Sequence, residues 1–182
     1  MEFHRRSIRL PDYDYSDFGY YFVTICAQDR ELYFENDDVK QIIKNMWIKL
    51  PTKFNNIDLD ACVVMPNHLH GIIVINNSVG ATLVVAHDVV AQNKRAGTRP
   101  APTTKSKSLG NIIGAFKSIT THEYIQNIKT NNWHWFAGRL WQRNYYERII
   151  RNNQELNRIR QYIINNPDNW ETDRNNPKNF KL

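Results

Sequence analysis

The sequence predicts an α+β fold of the ferredoxin-like kind: an antiparallel sheet with helices packed on one face and an additional C-terminal helix. Three observations carry that expectation. Apolar patterns follow one another in the order β-α-β-β-α-β, with a further helical pattern behind them. The strand-like runs are short and rich in aromatic and β-branched residues, which suit a pleated sheet. A chain of 182 residues is long enough for one core and leaves little room for a second, so residues 1–182 are expected to form one domain.

Tyr20 to Ala27 is the first strand-like run. Asn36 and Asp37 then offer a cap to DVKQIIKNMWIKL, whose Val39, Ile42, Ile43, Met46 and Ile48 recur at helical spacing, and Pro51 is expected to end that helix. Ile57 to Met65 and His70 to Ile75 read as two strands separated by the Pro66-Asn67 turn signal. Gly, Ala, Pro, Thr and Lys accumulate over residues 76–108, the composition of a flexible surface insertion. Helical periodicity resumes at Ser108 through Leu109, Ile112, Ile113, Phe116, Ile119 and Tyr124. A last strand is expected around Arg139 to Tyr146, and a last helix over Gln154 to Asn166, stopped by Pro167.

The formal net charge is +6 and the pI about 9.3, a balance that favours a polyanionic partner such as nucleic acid. Cys26 and Cys62 sit in the apolar runs YYFVTIC and DACVVM, the setting of small buried hydrophobes in a reducing compartment. The opening MEFHRRSIRL lacks the apolar stretch of a signal peptide, and no apolar run is long enough to span a bilayer. A cytoplasmic protein without membrane attachment is the expectation.

The candidate chemistry begins at MPNHLHGIIVI, Met65 to Ile75. On a strand, residues i and i+2 share a face, so His68 and His70 can address one ligand while Leu69 points away. Two imidazoles suit a divalent metal, although the spacing alone is weak and a structural role is the commoner one. In the last helix Tyr162 and Asn166 are four apart and lie one turn above each other. A phenol there can attack phosphorus and an amide oxygen can complete a metal site, whereas the plainer alternative makes both structural.

MPNHLHGIIVI, LGNIIGAFKS, LWQRNYYERIIRN and YIINNP occur in the order seen in REP-associated tyrosine transposases, and the N-terminal RRSIRLPDYDYSDFGYYFVTICAQDR is similar to the opening of many of them. That family is a branch of the HUH single-strand transposases, a group of HUH endonucleases. The resemblance spans nearly the whole chain outside 76–108. It implies that His68 and His70 are metal ligands, Tyr162 the nucleophile and Asn166 a third ligand, with Tyr145 and Tyr146 as rival phenols. The implied cofactor is a divalent metal, Mg²⁺ or Mn²⁺, which would polarise the scissile phosphate. The implied reaction is cleavage and rejoining of single-stranded DNA near REP hairpins through a 5′-phosphotyrosine. The implied setting is bacterial and nucleoid-associated, with a possible homodimer.

Lys117, Arg139, Arg143, Arg148 and Arg151 form the densest basic set, and Arg5, Arg6 and Arg9 make a basic arm; all eight are candidates for phosphate contact. Trp141 or Tyr145 could stack on an unpaired base. The insertion opens with VGA (Val79 to Ala81) and closes with APT (Ala101 to Thr103), stretches that suitable codons would encode as reverse complements; an embedded palindromic DNA element would leave that trace. Two other readings stay open: a non-catalytic DNA-hairpin-binding protein, and an RNA-binding ferredoxin-like module.

Overall fold

A computed structural model describes residues 13–76 and 107–179. Arg5, Arg6 and Arg9, together with VGA and APT in the insertion, lie outside the described residues. Four strands form one antiparallel sheet: β1 (Gly19–Cys26), β2 (Ile57–Met65), β3 (His68–Ile75) and β4 (Tyr146–Ile150), in the order β2-β3-β1-β4. The helices are α1 (Asp37–Ile48), a short α2 (Leu50–Lys53), α3 (Leu109–Asn131) and α4 (Asn153–Asn165). This is the expected ferredoxin-like arrangement, with α4 as the added element.

Period-two alternation divides the sheet into two faces. Tyr21, Val23 and Ile25 of β1 and Leu69, Ile73 and Ile75 of β3 meet Val39, Ile43 and Trp47 of α1 and Leu109, Ile112, Ile113 and Phe116 of α3. Burying each of these side chains contributes roughly 1.5–3 kcal/mol, so this face holds the main core. The opposite face is smaller: Ile72 and Ile150 pack on Leu156, Ile159 and Ile163 of α4, with Tyr20, Phe22, Ala61 and Val63 beside them. His68 and His70 share the parity of Ile72 and therefore look toward α4.

Local chemistry sets the helix ends. Asn36 accepts from the Asp38 N–H at α1. Ser108 and Asn111 form a reciprocal capping box at α3, which closes on Asn132 with φ 52°. Asn152 caps α4 by accepting from the Glu155 N–H. Pro51 occupies the first turn of α2, where its missing N–H costs nothing, so it starts a helix as well as following one.

The last strand lies later than expected, over Tyr146–Ile150 instead of Arg139 to Tyr146. Gly138, with φ 79°, turns the chain, and Lys117 then satisfies three loop carbonyls, those of Gln142, Arg143 and Asn144, at 2.8, 3.2 and 3.1 Å. Those acceptors need no strand partner. Trp141 and Tyr145, expected as stacking platforms, are buried instead, with Trp141 Nε1 donating to Thr120 Oγ1 at 2.8 Å. Cys26 is buried, Cys62 half-buried, and both are free thiols. Among the described residues, no helix is long and apolar enough to cross a membrane.

Gly71 lets β3 and Trp47 of α1 pack closely. A Cβ there would stand 2.4 Å from the Trp47 ring, which is fully buried. Gly71→Ala is expected to destabilise the protein by about 1–3 kcal/mol through overpacking. Urea unfolding measures this; an unchanged midpoint would show that Trp47 moves freely.

Candidate metal and tyrosine site

The histidine pair opens β3 directly after a turn held from both sides. The Ala27 N–H donates to the Asn67 carbonyl and the Phe34 N–H to the Pro66 carbonyl, each at 2.8 Å. Asn67, His68 and His70 are all buried. Asn67 Nδ2 donates to the Arg30 carbonyl at 2.9 Å and to the Asn175 carbonyl at 2.7 Å. Those two acceptors orient the amide, so its Oδ1 faces His68 Nδ1 at 2.8 Å. An amide oxygen only accepts, and His68 therefore carries its hydrogen on Nδ1 and turns the Nε2 lone pair inward.

His70 is held differently. Its Nδ1 lies 2.8 Å from Thr24 Oγ1, a hydroxyl that donates or accepts. The register places Thr24 directly across from His70. The two Nε2 atoms are 3.0 Å apart. With His68 Nε2 an acceptor, His70 Nε2 donates to it and Thr24 donates to His70 Nδ1; rotation of that hydroxyl permits the other tautomer.

The tyrosine helix is fastened to the sheet by its apolar stripe and by two ion pairs, Arg160 with Asp60 of β2 and Glu155 with Arg148 of β4. An extra residue between Leu59 and Cys62 bulges β2 and presents Asp60 to Arg160, which binds both carboxylate oxygens at 2.9 and 2.6 Å. Burial raises the Asp60 pKa, but the hydrogen bonds from Arg160 and the Ala61 N–H outweigh it, and the carboxyl sits below its ordinary range. Two residues later Tyr162 projects over the sheet, its Oη 3.2 Å from His70 Nε2. Its ring meets His70 edge-on at 5.2 Å and Phe22 at 6.0 Å. At 45% exposure the phenol remains open to a large substrate. One turn on, Asn166 is 3% exposed, and its Oδ1 is buried without a hydrogen-bond partner.

The chain then doubles back through a 3₁₀ segment, Pro167–Thr172. Trp170 packs 6.1 Å from the His68 ring. Asp173 brings a carboxylate within 4.8 Å of the histidine nitrogens, making a His-His-Asp group able to hold a metal ion. Burial, aided by the charges of Arg30 and Arg174, lowers the His68 pKa to about 3. Burial and His68 do the same at His70, also about 3, against an opposing pull from Asp173. Both imidazoles are thus neutral and available as ligands near pH 7. Burial and Asp173 raise the Tyr162 pKa, against smaller opposing effects of Asn166 and Arg174.

The donor set fits a divalent cation. Imidazole nitrogens about 2.0–2.1 Å from an ion, at adjacent positions, lie about 3 Å apart, the spacing seen between the two Nε2 atoms. The Asp173 carboxylate supplies a hard donor beside them.

The structure thus brings His68, His70 and Tyr162 together within one chain, with Asn166 in contact with Tyr162. Thr24, Asn67, Asp173, Arg30 and Arg174 join them without having been singled out in the sequence. Asn67 stood in plain view beside His68 but read as a turn residue. Asp173 lies beyond the helix, where no helical spacing applies, and Thr24 is visible only through the strand register.

The basic residues divide into two sets. Arg139 and Arg143 are exposed on the loop after Gly138, and Lys117 holds that loop from beneath with its ring contact to Tyr145 at 5.5 Å. Arg148 and Arg151 line a groove of about 690 Å³ with Asn152, Gln154 and Arg158. Arg148 is anchored there by Glu155 at 2.7 Å.

No protein-family profile matches the chain. A Haemophilus influenzae (Rd) protein of uncharacterised function is 36% identical over 178 residues, covering 93% of this chain and 92% of that one. Among solved structures, a REP-associated tyrosine transposase bound to a REP hairpin is similar with a TM-score of 0.56 and 17% identity, covering 90% of this chain and 73% of that chain. A candidate transposase of Deinococcus radiodurans R1 gives 0.48 at 17% identity, covering 87% and 97%. The chain belongs to the same family as the Haemophilus influenzae protein and has the fold of the REP-associated tyrosine transposase.

Proposed function

We propose that this protein is a metal-dependent single-stranded DNA transposase, an endonuclease that cleaves and rejoins strands near REP-type hairpins through a 5′-phosphotyrosine. One observation carries the proposal: Tyr162 Oη stands 3.2 Å from His70 Nε2, beside a buried Asn166 oxygen that has no partner. A core tyrosine would not need neutral, inward-facing histidines around it. His68, His70, Asn166 and Asp173 would hold the ion, Mg²⁺ or Mn²⁺. When bound, it supplies charge stabilisation for the scissile phosphate.

The remaining steps belong to the chain's own side chains. Tyr162 Oη loses its proton and bonds to phosphorus as the P–O3′ bond breaks, and the departing oxygen takes up a proton to become a 3′-hydroxyl. The strand on the 3′ side of the break stays on the protein, its 5′-phosphate esterified to the phenol as a phosphotyrosine. Attack by a 3′-hydroxyl on that ester restores a phosphodiester and the phenol, so joining needs no ATP. Among the described residues, Tyr162 and the histidines meet within one chain, which supports attack by the tyrosine on DNA held at its own chain's histidines. Arg30 and Arg174, whose charges are felt at His68, would add positive potential for phosphate at the site. Arg148, Arg151 and Arg158 would carry backbone phosphates along the groove beside α4, and Arg139 and Arg143 would extend the contact.

Incubation with a hairpin oligonucleotide bearing a single-stranded flank, with Mn²⁺, is expected to yield a protein–DNA adduct that survives denaturation. Tight hairpin binding with no adduct would instead identify a non-catalytic binder. Metal-independent binding that prefers RNA would identify an RNA-binding module.

A further inference from the structure

We propose that Asn67 is a positioning residue that locks His68 in the ligand-ready tautomer and latches the segment carrying Asp173 and Arg174 against the histidine pair. The proposal rests on the metal site above. Asn67 is completely buried, and its amide is used at every point that matters: Nδ2 reaches the carbonyls of Arg30 and Asn175, and Oδ1 reaches His68 Nδ1. These partners come from three separate parts of the chain.

The Arg30 end is a strained one. Asp29 and Arg30 both adopt positive φ, 54° and 59°, a conformation that side chains other than glycine hold only under outside constraint. Asn67 is part of that constraint. At the other end, the Asn175 N–H donates to Asp173 Oδ1 at 2.6 Å, so the carbonyl gripped by Asn67 belongs to the same turn that aims the carboxylate. Asn67 thereby transmits the position of the C-terminal segment to His68.

An outer partner of a metal-ligating histidine typically controls metal affinity by 10–100-fold. Asn67→Ala is expected to weaken Mn²⁺ binding, read by electron paramagnetic resonance, by about 10–100-fold, and to let the His68 proton redistribute between its two nitrogens in ¹⁵N spectra. Asn67→Asp retains an acceptor for His68 Nδ1 but loses both donations. It should keep the tautomer and expose the 173–176 segment to faster amide exchange.

Wild-type Mn²⁺ affinity together with an unshifted His68 tautomer in Asn67→Ala would overturn the proposal. Should the variants fail to fold, the unaltered metal-free protein still decides: the Asn67 side-chain amide must exchange slowly and His68 must carry its proton on Nδ1. An Nε2–H tautomer there refutes the assignment. Correct tautomer and slow exchange in a protein that binds no Mn²⁺ would refute the metal site while leaving the latch intact.

Discussion

Tyr162→Phe is expected to abolish the covalent protein–DNA adduct while hairpin binding is retained. The expected loss is on the order of 10³-fold or more, in the range that removing an enzymic nucleophile costs. Phenylalanine keeps the edge-on ring contacts with His70 and Phe22 and removes only the oxygen 3.2 Å from His70. That oxygen belongs to a half-exposed side chain, so stability should change by less than about 1 kcal/mol. Denaturing gels measure the adduct and urea unfolding checks the fold. An unchanged adduct would sink the assignment and move it to Tyr146, which is exposed at 46% and lies opposite Thr24 on the same face. Tyr145 is the weaker rival because its ring is buried.

The second large effect is acid lability of the metal-free protein. His68 and His70 ordinarily titrate near 6.5 but are held at about 3 in the fold, chiefly by burial. The unfolded chain therefore takes up protons below pH 6.5 that the folded chain refuses. Stability from this source is fully present above pH 6.5 and is lost as pH falls from there toward 3. Between pH 7.5 and 5 each imidazole should cost about 2 kcal/mol, a large share of the 5–15 kcal/mol that holds a typical domain together. Urea unfolding at the two pH values measures the loss, and replacing either histidine with glutamine should remove about half of it. A flat profile would mean the imidazoles are hydrated and not shielded by α4. Added Mn²⁺ is expected to oppose acid unfolding, because an ion bound at the proposed site would hold both rings neutral.

Much of the architecture was legible because it rests on local periodicity. The spacing of Val39 and Ile43, and of Leu109, Ile112, Ile113 and Phe116, marks the faces that α1 and α3 bury. Where long-range contacts decide the backbone, local signals misled. The aromatic run before Tyr146 has strand composition, yet Lys117 and Gly138 hold most of it as a loop and send Trp141 and Tyr145 into the core. The Lys117 ammonium, expected on DNA, sits on carbonyls of that loop.

The sequence by itself determined that two histidines share one strand face and that Tyr162 and Asn166 share one helix face, since both follow from backbone repeat distances. It also determined the first three strands, the three long helices and the motif order that links them. Only the tertiary structure decided that α4 lies on the histidine face within the same chain, because that depends on Ile72 and Ile150 meeting Leu156, Ile159 and Ile163 and on a bulge that brings Asp60 to Arg160. It alone decided which atoms face inward. The His68 tautomer and the aim of the Asp173 carboxylate arise from hydrogen bonds between residues up to 108 positions apart, and the unpartnered Asn166 oxygen from tertiary burial; no local spacing encodes them.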